Sequence, residues 1–250
     1  MKATLYALAA IVLGPLASHA RAAETNVAVA ANFTAAAKEI AAAYQAKTGN
    51  QALLSFGSSG ALVTQIKQGA PFQVFLSADD TRPEALVASK LGVPGSVFTY
   101  AVGRLVLWSR QPGLVQGEAT LRGAAFDKLS ICNPVAAPYG AAAAEVMKSL
   151  KLYSALQPKF VVGANITQAY EFVSSGNAAL GFVALSQVIG DKAGSRWLVP
   201  QALYTPIRQD AVLLATGADN PAATGFLQFL KSPAATAIIA RYGYTSGTAE

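Results

Sequence analysis

Residues 26–69 read NVAVAANFTAAAKEIAAAYQAKTGNQALLSFGSSGALVTQIKQG and carry the pattern that decides the fold. An apolar stretch predicts a strand at Asn26–Ala31, and apolar positions at helical spacing predict a helix over Thr34–Lys47 that stops at a glycine. The same order returns at once, with a strand at Gln51–Phe56 and a short helix at Ala61–Gln68. This alternation is typical of a mostly parallel sheet with helices on both faces.

The strand–helix pattern continues in two blocks, one before and one after residue 103. The last segments, after about residue 204, have no block of their own and are expected to return to the first block. The sequence therefore predicts an α/β fold of two lobes, each a mixed sheet with flanking helices, with a ligand cleft between them. We expect the first lobe to comprise residues 24–102 and 204–250 and the second lobe residues 103–203. The remaining predicted elements are strands at 73–77, 129–133, 160–162 and 180–185, extended segments at 97–100, 104–108 and 204–215, and helices at 82–90, 139–150, 166–175, 221–231 and 233–241.

The first 23 residues, MKATLYALAAIVLGPLASHARAA, have the features of a secretory signal peptide. A lysine at position 2 precedes an apolar run over Leu5–Leu16, which is shorter than the ~20 residues needed to span a bilayer. The small residues Ala20 and Ala22 suit cleavage after Ala22 or Ala23, with Ala20 as the alternative. Cleavage after Ala23 leaves 250 − 23 = 227 residues without histidine, and export to the periplasm is expected.

The composition excludes several classes of function. The chain is 53% hydrophobic and 13% charged, which excludes disorder. One cysteine, Cys132, and one histidine, His19 in the predicted signal peptide, leave too few ligands for the usual zinc, copper or iron–sulfur sites. The isoelectric point is about 9.4, but no stretch concentrates Lys and Arg as a nucleic-acid site would. We expect no cofactor, no cation site and no nucleic-acid partner.

The segment Gly57–Ala61, GSSGA, resembles the nucleophile motif of serine hydrolases. A secreted hydrolase using Ser58 or Ser59 would need a general base, and the mature chain has no histidine and no lysine one turn after either serine. We therefore expect no enzyme, and a generic ester assay would test this alternative. An adhesive or signalling domain on the same fold is a third hypothesis, for which the sequence offers no feature.

Four predicted helix starts follow predicted strands and point to anion binding. They lie at Asn32, Ser59, Tyr139 and Ile166, and each offers a polar side chain or an unpaired backbone N–H. Helix N-termini carry partial positive charge and bind anions, and in such sheets they gather at the carboxyl edge. The alternative is that these residues are ordinary helix caps.

These residues lie within stretches that resemble one family, the periplasmic molybdate-binding proteins of ABC transporters, or ModA family. The resemblance extends from about Asn26 to Tyr244. One run of motifs is highly specific to the group: S-F-x-S-S-x-x-L, Q-I-x-x-G-A-P and S-A-D. The resemblance implies a type II periplasmic binding protein fold. The stretches are VAVAANFTAAAKEIAAAYQAKTG, LLSFGSSGALVTQIKQGAPFQVFLSAD, NPVAAPYGAAAAEVMKSL, NITQAYEFVSSGNAALGFVALSQV and FLKSPAATAIIARYGY.

The resemblance also implies a set of neutral ligand-binding groups. Asn32 would bind one oxygen through its side chain or N–H, and Ser59 would donate from its hydroxyl and N–H. Tyr139 and Ile166 would donate backbone N–H groups. Ser58 and Ala31 would be neighbours that contribute backbone contacts at most.

The chain departs from the family pattern at one donor. Some members use a tyrosine hydroxyl where this chain has Ala184. Two alternatives follow: the Tyr139 hydroxyl replaces that donor, or the Tyr139 side chain packs over the ligand and only its backbone N–H donates. The implied function is capture of molybdate and tungstate as a monomer that delivers them to a membrane permease. A receptor for another tetrahedral oxyanion, such as sulfate, is the alternative.

Overall fold

The computed structural model describes residues 22–245, and these form two five-stranded sheets. The signal peptide predicted at the N-terminus lies outside the described residues, except for its last two positions. The strand order is β2-β1-β3-β10-β4 in the first sheet and β7-β6-β8-β5-β9 in the second. The strands are β1 Glu24–Ala30, β2 Gln51–Gly57, β3 Val74–Leu76, β4 Phe98–Gly103, β5 Leu105–Ser109, β6 Leu129–Cys132, β7 Phe160–Gly163, β8 Leu180–Ala184, β9 Ser195–Leu198 and β10 Ile207–Leu213.

Helices pack on both faces of each sheet, and we call each sheet with its helices a lobe. The larger helices follow the predicted segments within a few residues at each end. The helices are α1 Thr34–Thr48, α2 Ser59–Lys67, α3 Thr81–Ala88, α4 Glu118–Gly123, α5 Pro138–Ser149, α6 Tyr153–Leu156, α7 Ile166–Ser174, α8 Leu185–Val188, α9 Pro221–Leu230 and α10 Pro233–Arg241. Short 3₁₀ turns lie at Ala31–Phe33, Gln157–Lys159, Gln201–Leu203 and Ala215–Gly217.

Both sheets are mixed, and the antiparallel strands are those next to the crossings between lobes. In the first sheet β1 pairs parallel with β2 and β3, whereas β10 pairs antiparallel with β3 and β4. In the second sheet β6 pairs parallel with β7 and β8, whereas β5 pairs antiparallel with β8 and β9. The predicted two-lobed α/β fold with mixed sheets is confirmed. The division of the chain at residues 102/103 and 203/204 stays a prediction.

The core lies on both faces of each sheet. On one face of the first sheet, Phe33, Ile40 and Phe226 belong to one buried cluster. On the opposite face, Leu62 and Phe75 belong to another. Burial of this apolar surface is the main favourable term in folding, and it fixes the strand ends from which the helices near the cleft begin.

Candidate anion-binding site

The starts of four helices meet at one pocket between the lobes. The 3₁₀ turn before α1 follows β1, and α2, α5 and α7 follow β2, β6 and β7. Because β1 pairs parallel with β2 and β6 with β7, the carboxyl ends of each pair lie at the same sheet edge. The pocket is small, with a cavity volume of about 10 Å³. All four predicted site residues line it, and the complete set is Ala30, Ala31, Asn32, Gly57, Ser58, Ser59, Ala78, Ala137, Pro138, Tyr139, Asn165 and Ile166.

Ser59 is the first residue of α2, and a bond to its oxygen orients its hydroxyl. The buried Oγ accepts a hydrogen bond from the Ala78 N–H at 3.0 Å, which leaves the hydroxyl hydrogen to donate elsewhere. The preceding Ser58 caps the helix, since its Oγ accepts from the Ala61 N–H at 3.4 Å. The N–H of a first helical residue has no partner within its helix. Ser59 therefore has two donors available, its hydroxyl and its backbone N–H.

Ile166 is the first residue of α7, and the residue before it determines which backbone donors remain. The Asn165 Oδ1 accepts from the Thr167 N–H at 2.9 Å and from the Gln168 N–H at 3.0 Å. This N-cap satisfies the next two donors of the first turn. The N–H of the buried Ile166 is the donor that the cap leaves for a ligand.

Asn32 lies in the 3₁₀ turn before α1, and its side chain is bonded within the protein. The buried Nδ2 donates to Gln209 Oε1 at 2.9 Å and to Tyr244 Oη at 3.1 Å. These two bonds use both hydrogens of the amide. The resemblance allows either the side chain or the backbone N–H of Asn32 to bind an anion. Because the side-chain amide is already bonded, this geometry leaves the backbone N–H.

Tyr139 lies in the first turn of α5, with its backbone at the pocket and its hydroxyl further away. The Oη accepts from Gln209 Nε2 at 3.3 Å and lies against Gly103, and neither residue lines the pocket. Burial raises the pKa of this hydroxyl well above its usual value, and the nearby Tyr244 and Tyr100 add to the shift. We therefore expect the Tyr139 N–H, rather than its hydroxyl, to face an anion.

The pocket is electrically neutral in its side chains and positive in its backbone. None of its lining residues is charged, while four helix starts direct partial positive charge toward it. Charged side chains line an adjacent groove, which shares Ala78 and Pro138 with the pocket. There Arg82 pairs with Asp79, and Arg208 lies 3.7 Å from Asp80, so these charges are balanced locally.

Side chains at the base of the pocket link the two lobes. Ser186 Oγ donates to the Asn32 carbonyl at 2.9 Å, and Tyr244 Oη lies 3.0 Å from Ser186 Oγ. Sequence reasoning missed Ser186, Gln209 and Tyr244. Gln209 stands between Arg208 and Asp210 in the strand IRQDAVL, so its neighbours in the sequence do not single it out. Its partners are distant in the chain and carry no local signal.

The described residues contain little that could support hydrolysis. Ser58 acts as a helix cap, and residues 22–245 include no histidine to activate Ser59. Burial raises the pKa of the Cys132 thiol to about 12, so the reactive thiolate is absent at neutral pH. Within the same range, no cluster of three or more His, Cys, Asp or Glu residues could bind a metal ion.

Within residues 22–245, every helix is too short or too polar to cross a membrane.

Comparison with known proteins identifies close relatives over nearly the full length. The family model described as bacterial extracellular solute-binding protein matches residues 25–245. The molybdate-binding protein ModA of Rhodobacter capsulatus is 55% identical over 237 residues, covering 95% of this chain and 94% of that protein. ModA of Azotobacter vinelandii is 55% identical over 235 residues, covering 92% of this chain and 93% of that protein.

The structural comparison agrees with the sequence comparison. The solved structure of the periplasmic molybdate-binding protein of Azotobacter vinelandii superposes with a TM-score of 0.86 at 40% identity. The match covers 90% of this chain and 100% of that one.

Proposed function

We propose that this chain, which belongs to the molybdate-binding ModA family of bacterial extracellular solute-binding proteins, captures molybdate as the substrate-binding protein of an ABC importer. The observation that carries the proposal is the neutral pocket at which four helix starts meet. The donors assigned to the oxyanion are the N–H groups of Asn32, Ser59, Tyr139 and Ile166, together with the Ser59 hydroxyl. The relatives at 55% identity are molybdate-binding proteins.

Neutral donors suit an oxyanion with two negative charges. A charged counterion in a closed pocket would itself have to be desolvated, and that cost offsets much of its attraction for the anion. Hydrogen bonds from N–H and O–H groups to an ionised acceptor are about twice as strong as neutral ones. Several such bonds stabilise the bound charge without a buried cation.

The same donors select the anion by its protonation state and its size. A pocket that offers only donors leaves the proton of hydrogen phosphate without an acceptor, which costs about 1–3 kcal/mol. Tungstate has the charge and shape of molybdate and should bind equally well, whereas the smaller sulfate should contact fewer donors. Sulfate binding as tight as molybdate binding would support the alternative function.

The proposal includes the location and partners of the protein. Residues 1–23 would direct export to the periplasm, where the mature chain would act as a monomer without a cofactor. The partner would be the membrane permease of the importer. Sedimentation of the mature chain with and without molybdate tests the monomer, and a dimer under both conditions would contradict it.

The binding claim is tested by equilibrium dialysis of the mature chain against molybdate, followed by elemental analysis. We expect one molybdenum per chain, retained through dialysis at low micromolar molybdate. The Ser59→Ala variant should retain less under the same conditions. A wild-type chain that retains no molybdenum would overturn the proposed function.

A further inference from the structure

One loop of the second lobe makes direct hydrogen bonds to the first lobe at the mouth of the pocket. We call residues 133–137, between β6 and α5, the interlobe loop. Its Ala136 carbonyl accepts from the Gly60 N–H at 2.9 Å. Its Val135 carbonyl accepts from Arg82 Nη2 at 3.0 Å. Gly60 and Arg82 therefore hold two consecutive carbonyls of the loop.

Both sides of this contact are held in place by bonds within their own lobes. In the interlobe loop, Asn133 Oδ1 accepts from the Val135 N–H at 2.9 Å and from the Ala136 N–H at 3.3 Å. On the other side, the Arg82 guanidinium pairs with Asp79, whose Oδ1 also accepts from the Arg82 N–H at 3.1 Å. Little conformational entropy is then lost when the lobes meet.

The backbones approach so closely at Gly60 that a side chain there would disturb the contact. A Cβ at this position would lie 3.0 Å from the Ala136 carbonyl oxygen and 3.2 Å from its Cα. Gly60 is nonetheless the second residue of α2, and alanine is a better helix former than glycine. Local helix stability therefore opposes glycine at this position, whereas contact between the lobes requires it.

The position of the contact links it to the anion site. Gly60 directly follows Ser59, and the interlobe loop leads into the turn that contains Tyr139. When the loop lies on Gly60, the donors of Ser59 and Tyr139 line the same pocket. Release of the contact would separate these two donors.

We propose that Gly60 and Arg82 are positioning residues, which set the lifetime of the bound anion by holding the interlobe loop of the closed cleft without touching the anion. The proposal rests on the proposed function, since it concerns the same pocket. On this proposal, the affinity for molybdate depends on two residues that donate no hydrogen bond to the anion. The proposal also explains why glycine occupies a helical position where alanine would be more stable.

The sharpest test is a graded series at Gly60. We expect Gly60→Ala to raise the molybdate dissociation rate about 3- to 10-fold, the scale of one weakened hydrogen bond, and Gly60→Val to raise it further. The melting temperature of ligand-free Gly60→Ala should be unchanged or higher, because the helix gains stability while the contact is lost. Gly123→Ala is the matched control, since a Cβ there meets no atom within 4 Å.

An independent test removes the guanidinium group of Arg82. Arg82→Gln should raise the dissociation rate by about 3- to 10-fold, and the effect should be smaller in Gly60→Val, where the loop is already displaced. Arg122→Gln is the control, since Arg122 is exposed and, within residues 22–245, forms its ion pair with Glu118 one helical turn away. This control should leave the dissociation rate unchanged.

The outcomes distinguish a failure of this proposal from a failure of the proposed function. If the wild type binds molybdate and the Gly60 and Arg82 variants release it at the wild-type rate, the interlobe contact does not set the lifetime and the proposal is wrong. If the wild type binds no molybdate, the proposed function fails. Small-angle scattering without ligand then still tests the contact, because Gly60→Val should be less compact than wild type and equal compactness would overturn the proposal.

Discussion

At the scale of single residues, the hydroxyl of Ser59 is the clearest test of the site. Ser59→Ala removes one donor to an anion and should weaken molybdate binding by about 1.5–3 kcal/mol, the range for hydrogen bonds to a charged group. Calorimetric titration measures this loss. Ser58→Ala is the matched comparison, since its hydroxyl caps α2, and it should lower the melting temperature with a smaller loss of affinity. Equal binding by wild type and Ser59→Ala would remove Ser59 from the site.

Tyr139→Phe distinguishes a backbone donor from a hydroxyl donor. The hydroxyl contacts Gln209 and not a pocket residue, so the variant should bind molybdate within about twofold of wild type. It should lose about 1 kcal/mol of unfolding free energy, because the Gln209 amide loses its acceptor. Titration and denaturant unfolding measure the two effects. A loss of affinity of about tenfold or more would show that the hydroxyl donates to the anion.

The residues that line the pocket could be predicted from the sequence, but the atoms that face a ligand could not. Helix starts after strands place Asn32, Ser59, Tyr139 and Ile166 at one sheet edge by general rules. The direction of the Asn32 amide depends on Gln209 and Tyr244, which are 177 and 212 positions away in the chain. No local pattern specifies such partners.

At the scale of secondary-structure elements, the first turn of α7 can be tested through its cap. Asn165→Ala removes the acceptor of two backbone N–H groups and should cost about 1 kcal/mol of unfolding free energy. It should also weaken molybdate binding, because the turn that orients the Ile166 N–H loses its cap. Ser232→Ala removes the cap of α10, and Ser232 does not line the pocket. It should cost similar stability without affecting binding, and an equal loss of affinity in both variants would contradict this account.

The larger elements were predictable because their apolar positions repeat over several turns or strand residues. The helices α6 and α8, of four residues each, were missed, and so were the strand β9 and the helix α4. The strand, SRWL, lies at a sheet edge and is partly exposed, so it lacks a continuous apolar run. The helix spans six residues, too few for a 3.6-residue period to appear. Both are formed by tertiary contacts rather than by local preference.

At the scale of the whole molecule, the two lobes can be predicted from the number of strand–helix blocks in the sequence. Closure of the cleft, in contrast, depends on contacts between the lobes. The hydrogen bond from Gly60 to Ala136 joins residues that no sequence period relates. The sequence therefore predicts that a cleft exists but not how its edges meet. That part of the account comes from the structure.

The chemistry of the pocket predicts that binding is insensitive to pH. Among its described lining residues only Tyr139 can titrate, and its raised pKa keeps the hydroxyl neutral to higher pH than in an ordinary tyrosine. Affinity for molybdate should therefore stay constant from about pH 6.5 to 9, where a site built on histidine would lose charge as the pH rises. Titrations at several pH values measure this. A steep change near pH 6.5 would indicate a titrating group in the site.

The central claim is that a neutral shell of helix-start donors selects molybdate over smaller oxyanions. Calorimetric titration of the mature chain with molybdate, tungstate and sulfate, each alone and in competition, tests it most directly. We predict one site per chain, mutual displacement of molybdate and tungstate, and sulfate binding at least about 100-fold weaker, or ~2.7 kcal/mol. Sulfate binding as tightly as molybdate would contradict the account.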